Sequence, residues 1–173
     1  KYDNDGNFIS LEKTNNSCPD RIKTRSVAEL KSEYYTDKPI VPFIEITQDD
    51  LSCEIMRGCV RGCRFCQAGY QYRPRRQRAP EEVASAVFAC IDSTGYDDVT
   101  LLSLSSTDYD RLNDLLARLS PKFIERKIGL GLPSLRPETI TPSLLETLSA
   151  TRKSGLTLAP EAGTEEPPKK KKE

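Results

Sequence analysis

The sequence predicts an α/β fold, a partial (β/α)6 barrel of about four β/α units with an extended N-terminal linker. From residue 51 onward, short apolar segments alternate with segments whose apolar residues recur at the helical period. This alternation is typical of parallel strands joined by right-handed helical crossovers. The pattern stops near residue 164, before enough strands have accumulated to close a barrel.

The strands of this array are predicted from short apolar runs bounded by loop residues. In chain order the segments are LSCEIM (51–56), DDVTLLSLS (97–105), KIGLGL (127–132) and GLTLAP (155–160). Cys53 is expected on the same strand face as Leu51 and Ile55, where a small apolar thiol is common.

The helices between the strands are predicted from apolar stripes. Pro80, followed by two glutamates, is favourable chemistry for a helix start. The predicted helices and inward residues are Glu81–Asp92 with Val83, Val87, Cys90 and Ile91; Tyr109–Leu119 with Leu112, Leu115, Leu116 and Leu119; and Pro142–Thr151 with Leu144, Leu145 and Leu148.

Composition suggests one domain with appendages: residues 1–45 as a linker, 46–165 as the core and 166–173 as a disordered tail. The chain is expected to be a fragment of a longer enzyme. No apolar run reaches the length of a membrane helix and no signal segment opens the chain, so a cytoplasmic location without membrane contact is expected.

The chain has no histidine, which excludes Ser-His-Asp and Cys-His catalysis and histidine metal sites. Three of its cysteines, Cys59, Cys63 and Cys66, have the spacing CxxxCxxC in the loop after the first predicted strand. Ligands of β/α arrays bind at the carboxyl ends of the strands. Gly58 and Gly62 permit tight turns in this loop. Because three thiols in one short loop suit a metal cluster, the loop is predicted to hold one.

The alternative is a zinc-stabilised module that binds nucleic acid, with Cys53 or Cys90 as the fourth zinc ligand. The spacing argues against it, because structural zinc usually uses paired CxxC motifs and only Cys63 and Cys66 have that spacing. Three cysteines instead suit a four-iron cluster that keeps one iron open.

Positive charge is concentrated around the cysteines, although the formal net charge of the chain is zero. The arginines of residues 73–78 would suit RNA or a phosphorylated substrate. A solvated loop that pairs with Glu81 and Glu82 explains the run almost as well.

These residues carry a resemblance. The segments EIMRGCVRGCRFCQAGYQYRPRRQRAPEE, LLSLSS, GLPSLRPETI and SGLTLAPEAGT occur in order between about residues 41 and 164. Together they resemble the radical S-adenosylmethionine (SAM) superfamily, and more narrowly its uncharacterised members with an upstream cobalamin-binding-type domain. The resemblance implies a 4Fe-4S cluster on Cys59, Cys63 and Cys66, with SAM on the fourth iron, and reductive cleavage of SAM to a 5′-deoxyadenosyl radical.

The resemblance also implies which other residues lie on the cofactor side of the barrel. They are Phe65, near the adenine; Ser103, Ser105 and Ser106, where the superfamily often has a glycine-rich stretch ending in an acid; and Ser134, Arg136 and Glu161. A flavodoxin or ferredoxin is expected as reductant, and cobalamin only through a domain outside this chain. The substrate and catalytic residues are left unassigned, and an inactive fragment that binds a cluster is a further alternative.

Overall fold

The computed structural model describes residues 1–13, 15–19, 21, 23, 25–151 and 158. The strands are β1 Leu51–Glu54, β2 Met56–Arg57, β3 Arg76–Gln77, β4 Asp98–Leu102 and β5 Gly129–Gly131. The α-helices are α1 Gln67–Gln71, α2 Pro80–Thr94, α3 Leu112–Arg126 and α4 Pro142–Ala150. Short 3₁₀ turns span Ser32–Tyr34, Ser106–Asp108 and Pro137–Thr139.

A three-stranded parallel sheet in the order β1-β4-β5 forms the centre of the fold. Leu51 is aligned with Val99 between β1 and β4, and Val99 with Leu130 between β4 and β5. Each strand is followed by a helix, so the predicted partial β/α fold is confirmed. Because the strands are parallel, their carboxyl ends lie at one edge of the sheet.

The core lies between the sheet and its covering helices. Helix α2 begins with Pro80 in its first turn and ends at Gly95, which adopts a left-handed conformation with φ of 79°. Its predicted inward stripe is confirmed, since all four residues are buried. The large side chains that are least exposed in the core come from both layers: Ile55, Met56, Val83, Val87, Val99, Leu101, Leu115, Leu119, Phe123 and Leu130.

Helix α3 differs from its predicted bounds at both ends. It begins three residues later than expected, because residues 106–108 form a 3₁₀ turn, and it continues to Arg126 through Pro121. The stripe of buried residues extends to Phe123, whose ring meets Phe88 of α2 edge to face at 6.2 Å. Burial of that ring favours continuation of the helix despite the proline.

Helix α4 confirms the third predicted helix, with Thr141 accepting a hydrogen bond from the backbone N–H of Leu144 as its cap. Leu144 and Leu148 are buried, but the inward assignment of Leu145 is wrong, because that side chain is exposed. The fourth predicted strand lies outside the described residues except for Leu158, which forms a parallel bridge with Leu135.

Part of the N-terminal segment contacts α2. Leu30 is buried, the Ser93 hydroxyl donates to the carbonyl of Asp37, and the Cys90 thiol donates to the carbonyl of Thr36. Within the part of the chain that the structure describes, no helix is long and apolar enough to span a membrane.

Candidate active site at the carboxyl ends of the strands

The cysteine loop, residues 58–75, follows β1 and the short strand β2, and β3 connects it to α2. A two-stranded antiparallel ribbon closes its base, with Met56 opposite Gln77 and Arg57 opposite Arg76. This ribbon was not predicted, because two-residue strands leave no periodic pattern in the sequence. It places the whole loop at the carboxyl edge of the sheet, where the sequence placed the candidate site.

Both glycines of the loop adopt backbone conformations that suit glycine. Gly58 has φ of 87° and Gly62 has φ of 65°. A Cβ atom on Gly58 would lie 2.5 Å from the Tyr72 carbonyl oxygen and 3.0 Å from that of Pro74. Gly58 is therefore required both for its torsion angle and for the close approach of the returning chain.

The three cysteines of the loop are free thiols and half-buried. The backbone N–H of Arg61 donates to the Cys59 sulfur at 3.5 Å, and the N–H of Gly69 donates to the Cys66 sulfur at 3.4 Å. Cys66 is also the cap of α1. These two backbone N–H groups fix the positions of the Cys59 and Cys66 sulfur atoms within the loop.

A single metal ion and an iron-sulfur cluster place different demands on these sulfurs. Within the described part of the chain, no three His, Cys, Asp or Glu side chains converge as ligands of one ion. A four-iron cluster does not need that convergence, because each cysteine binds a different iron. Three free thiols on one loop, two of them accepting backbone hydrogen bonds, fit the chemistry of such a cluster.

An ion pair fixes the cysteine loop to the turn after β4. The guanidinium of Arg61, between the first two cysteines, donates to both carboxylate oxygens of Asp108, with Nε at 2.7 Å from Oδ2. The Ser105 hydroxyl donates to the same carboxylate at 2.7 Å. Burial alone would raise the pKa of Asp108, but the hydrogen bonds from Arg61 and Ser105 outweigh it and hold the pKa below its ordinary value.

A second pair joins the same two regions closer to the solvent. Arg75 donates to both carboxylate oxygens of Asp110 at 2.8 Å and to the carbonyl of Asp108 at 2.8 Å. Gln77 donates to Asp110 at 2.7 Å. Asp108 and Asp110 were not singled out from the sequence, since they lie more than thirty residues from their arginine partners.

The predicted pairing of the arginine run with Glu81 and Glu82 is wrong for Glu81, which pairs with Arg111 and Arg118 of the α3 region. In the run itself, Arg75 pairs with Asp110 instead. Arg78 is buried, with its guanidinium 4.0 Å above the ring of Tyr35.

The serines that follow β4 join the ends of two strands. Ser106 is fully buried and its hydroxyl donates to the carbonyl of Pro133, after β5, at 2.6 Å. Ser103 and Ser106 hydroxyls are 3.0 Å apart. Ser103 also lines a cavity of about 370 Å³ whose wall includes Gly58, Arg57 and Leu102. Of the three predicted serines after β4, Ser103 therefore lines this cavity, whereas Ser105 and Ser106 are buried.

The remaining predicted residues lie around the same edge or outside the described part of the chain. Phe65 is 63% exposed on the loop, and Ser134 has φ of 59°. Arg136 forms an ion pair with Glu138 at 2.6 Å. That hydrogen bond and the charge of Glu138 raise the pKa of Arg136, which outweighs the opposing effect of its partial burial. Glu161 lies outside the described residues.

Cys53 and Cys90, the alternative zinc ligands, belong to the core. Both thiols contact or lie in the apolar cluster between the sheet and α2, as predicted for small apolar side chains. Burial raises the pKa of both thiols, which favours the neutral form that does not bind metals.

The parallel sheet and the cysteine loop at its carboxyl edge together define a β/α protein with a candidate cluster site. A family model described as the radical SAM superfamily matches residues 53–173. The chain therefore belongs to the radical SAM superfamily, as the resemblance predicted.

One relative is described as an uncharacterized protein of Methanocaldococcus jannaschii. It is 32% identical over 112 residues, which cover 65% of this chain and 24% of the relative. The chain thus spans about a quarter of the length of this curated relative.

Proposed function

We propose that Cys59, Cys63 and Cys66 bind three irons of a 4Fe-4S cluster and that the chain takes part in reductive cleavage of SAM. The observation that carries the proposal is the loop of free thiols at the carboxyl edge of a parallel sheet, in a chain of this superfamily. When bound, the cluster and SAM would supply an electron and a sulfonium, whose cleavage gives methionine and a 5′-deoxyadenosyl radical.

In this proposal the protein supplies geometry and hydrogen bonds. Gly58 and Gly62 turn the loop, and the N–H groups of Arg61 and Gly69 hold the sulfur atoms of Cys59 and Cys66 in place. The pair of Arg61 with Asp108 holds the loop against the strand ends. Ser103 lines the 370 Å³ cavity; since its hydroxyl donates to Ser106, which donates to Pro133, its oxygen would accept a hydrogen bond from SAM.

Arg136 and Phe65 have secondary roles in the proposal. The Arg136 guanidinium, which follows β5 and pairs with Glu138, would supply positive charge for a carboxylate of SAM at the carboxyl edge of the sheet. Phe65, exposed between the second and third cysteines, would cover the adenine, and Glu161 stays a predicted contact of the ribose or substrate. The electron is expected from a flavodoxin or ferredoxin.

Anaerobic reconstitution of the chain with iron and sulfide tests the proposal. We expect about four irons per chain, the brown colour of an iron-sulfur protein, and 5′-deoxyadenosine when SAM and dithionite are added. Cys63→Ser should abolish the colour and the product, whereas Cys18→Ser, outside the loop, should retain both.

Two results would contradict the proposal in different ways. A colourless protein that holds one zinc would identify the zinc-stabilised module. A brown protein that produces no 5′-deoxyadenosine would leave cluster binding intact but reject SAM cleavage by this chain.

A further inference from the structure

A second cavity, of about 470 Å³, lies beside the cysteine loop and is lined by four arginines. They come from four segments: Arg25 from the N-terminal region, Arg57 from β2, Arg73 from the cysteine loop and Arg76 from β3. No acidic residue lines this cavity, and its volume falls in the range of small-molecule sites.

Only one of these four arginines has a carboxylate partner among the described residues. Arg57 forms a bidentate pair with Glu54 at 2.6 to 2.7 Å. Arg25, Arg73 and Arg76 have none, in contrast with Arg61, Arg75 and the arginines of α3. Three positive charges therefore converge on one cavity without a described counterion.

Neutral acceptors hold two of the unpaired guanidinium groups in place. Arg76 donates to the carbonyls of Pro74, Tyr72 and Val27 and to the Ser26 hydroxyl, at 2.9 to 3.1 Å. Arg73 donates to the Gly69 carbonyl at 3.0 Å and lies 4.5 Å above the Tyr70 ring. These contacts use four of the five N–H groups of Arg76 but only one of Arg73. Arg73 therefore keeps paired donors for a ligand, whereas Arg76 contributes its uncompensated charge and one remaining N–H.

Phosphate matches this arrangement better than other common anions. Guanidinium groups bind phosphate through paired N–H donors, and a dianionic monoester offsets more of the converging charge than a carboxylate does. The partly enclosed cavity suits one phosphate group with its attached molecule, and Tyr72 in the wall offers an aromatic surface to that molecule.

We propose that this cavity binds the phosphate monoester of a small phosphorylated molecule. This cavity also adjoins the candidate active site. Arg57 and Tyr72 line both this cavity and the 370 Å³ cavity that contains Ser103. A molecule anchored by its phosphate would therefore lie next to the cavity that contains Ser103. Its assignment as substrate rests on the proposed function, but phosphate binding does not.

Calorimetric titration of the iron-free chain with ribose 5-phosphate tests the site, with ribose as the matched ligand lacking the phosphate. We expect saturable binding of ribose 5-phosphate and none of ribose. Arg25→Gln should weaken binding about tenfold, because one charged contact is lost. Arg25 forms no hydrogen bond or ion pair with another described residue, so this substitution should preserve the fold.

Arg126→Gln is the control variant. It removes the same charge from the end of α3, at the opposite edge of the sheet, and should leave binding unchanged. Equal binding of ribose and ribose 5-phosphate, or equal weakening by the two substitutions, would overturn the proposal.

Two further ligands, a nucleotide and an RNA, show which kind of molecule the site accepts. Tighter binding of adenosine 5′-monophosphate than of ribose 5-phosphate would identify a nucleotide, and equal binding a sugar phosphate; both support the site. Tighter binding of a single-stranded RNA without terminal phosphate would overturn it in favour of a polymer groove. Since iron is absent, these results are independent of whether SAM is cleaved.

Discussion

The sheet with its helices and the cysteine loop are held in place by different forces. The sheet and helices share a continuous cluster of buried apolar side chains. In the loop, residues 58–75, the only buried residues are Gly58 and Gly69, which have no side chain to bury. The loop is positioned by turns, hydrogen bonds and ion pairs instead. Packing therefore determines the fold, whereas polar contacts determine the position of the candidate site.

The largest expected effect tests the apolar region. Phe123 is fully buried, and Phe123→Ala should lower the free energy of unfolding by about 3–5 kcal/mol, because it removes the ring and leaves a cavity. Urea unfolding measures the change. Below the unfolding transition, iron uptake by the loop should remain that of the unaltered chain.

Ile124→Ala is the control for this substitution, since the neighbouring side chain is 49% exposed. A similar loss of stability in both variants would contradict the assignment of Phe123 to the core. Loss of iron uptake by folded Phe123→Ala would show that the loop depends on the same packing.

The second effect concerns the loop. Gly58→Ala would place an alanine at an unfavourable φ of 87° and bring its Cβ against the carbonyl oxygens of Tyr72 and Pro74. The torsion alone costs about 1–2 kcal/mol, and relief of the clash must displace the loop. We expect the iron bound after reconstitution to fall severalfold while the helical circular dichroism is retained.

Gly95→Ala is a close control, because Gly95 has φ of 79° and its added Cβ would meet nothing within 4 Å. It should lose a similar amount of stability from the torsion but keep its iron. Equal iron binding by the two variants would reject the role of the close contact at Gly58.

The contrast between packing and polar contacts also explains which parts of the structure the sequence predicts. Helix α2 was predicted closely, because its apolar stripe, its initial proline and the two glutamates of its first turn are local signals. The end of α3 was missed, since the burial of Phe123 is a tertiary effect that overrides Pro121. The spacing of the cysteines singled out the loop as a candidate site, and its role as a cluster site stays a prediction. The partners of Arg61 and Arg75 depend on the folded chain.

Substitution of Asp108 should give the smallest loss of stability, and it tests whether ion pairs hold the cysteine loop in place. Asp108→Asn removes the charge that Arg61 requires, at a carboxylate whose side chain is 10% exposed, and should cost about 1–2 kcal/mol of unfolding free energy. Because the folded pKa of Asp108 is lowered, its stabilisation is fully present above the unfolded value of 3.8 and is lost as pH falls through the folded pKa.

Urea unfolding of Asp108→Asn and the unaltered chain at several pH values from 7 down to about 3 measures this effect. The stability difference between them should shrink as the pH falls below 3.8, the ordinary pKa of aspartate, because the native carboxylate is then being neutralised. Asp110→Asn is the control, since its side chain is 62% exposed and its pair with Arg75 is screened by water, so its stability should change little at any pH. If Asp110→Asn costs as much as Asp108→Asn, solvent exposure does not distinguish the two contacts, and the loop is held by both pairs together.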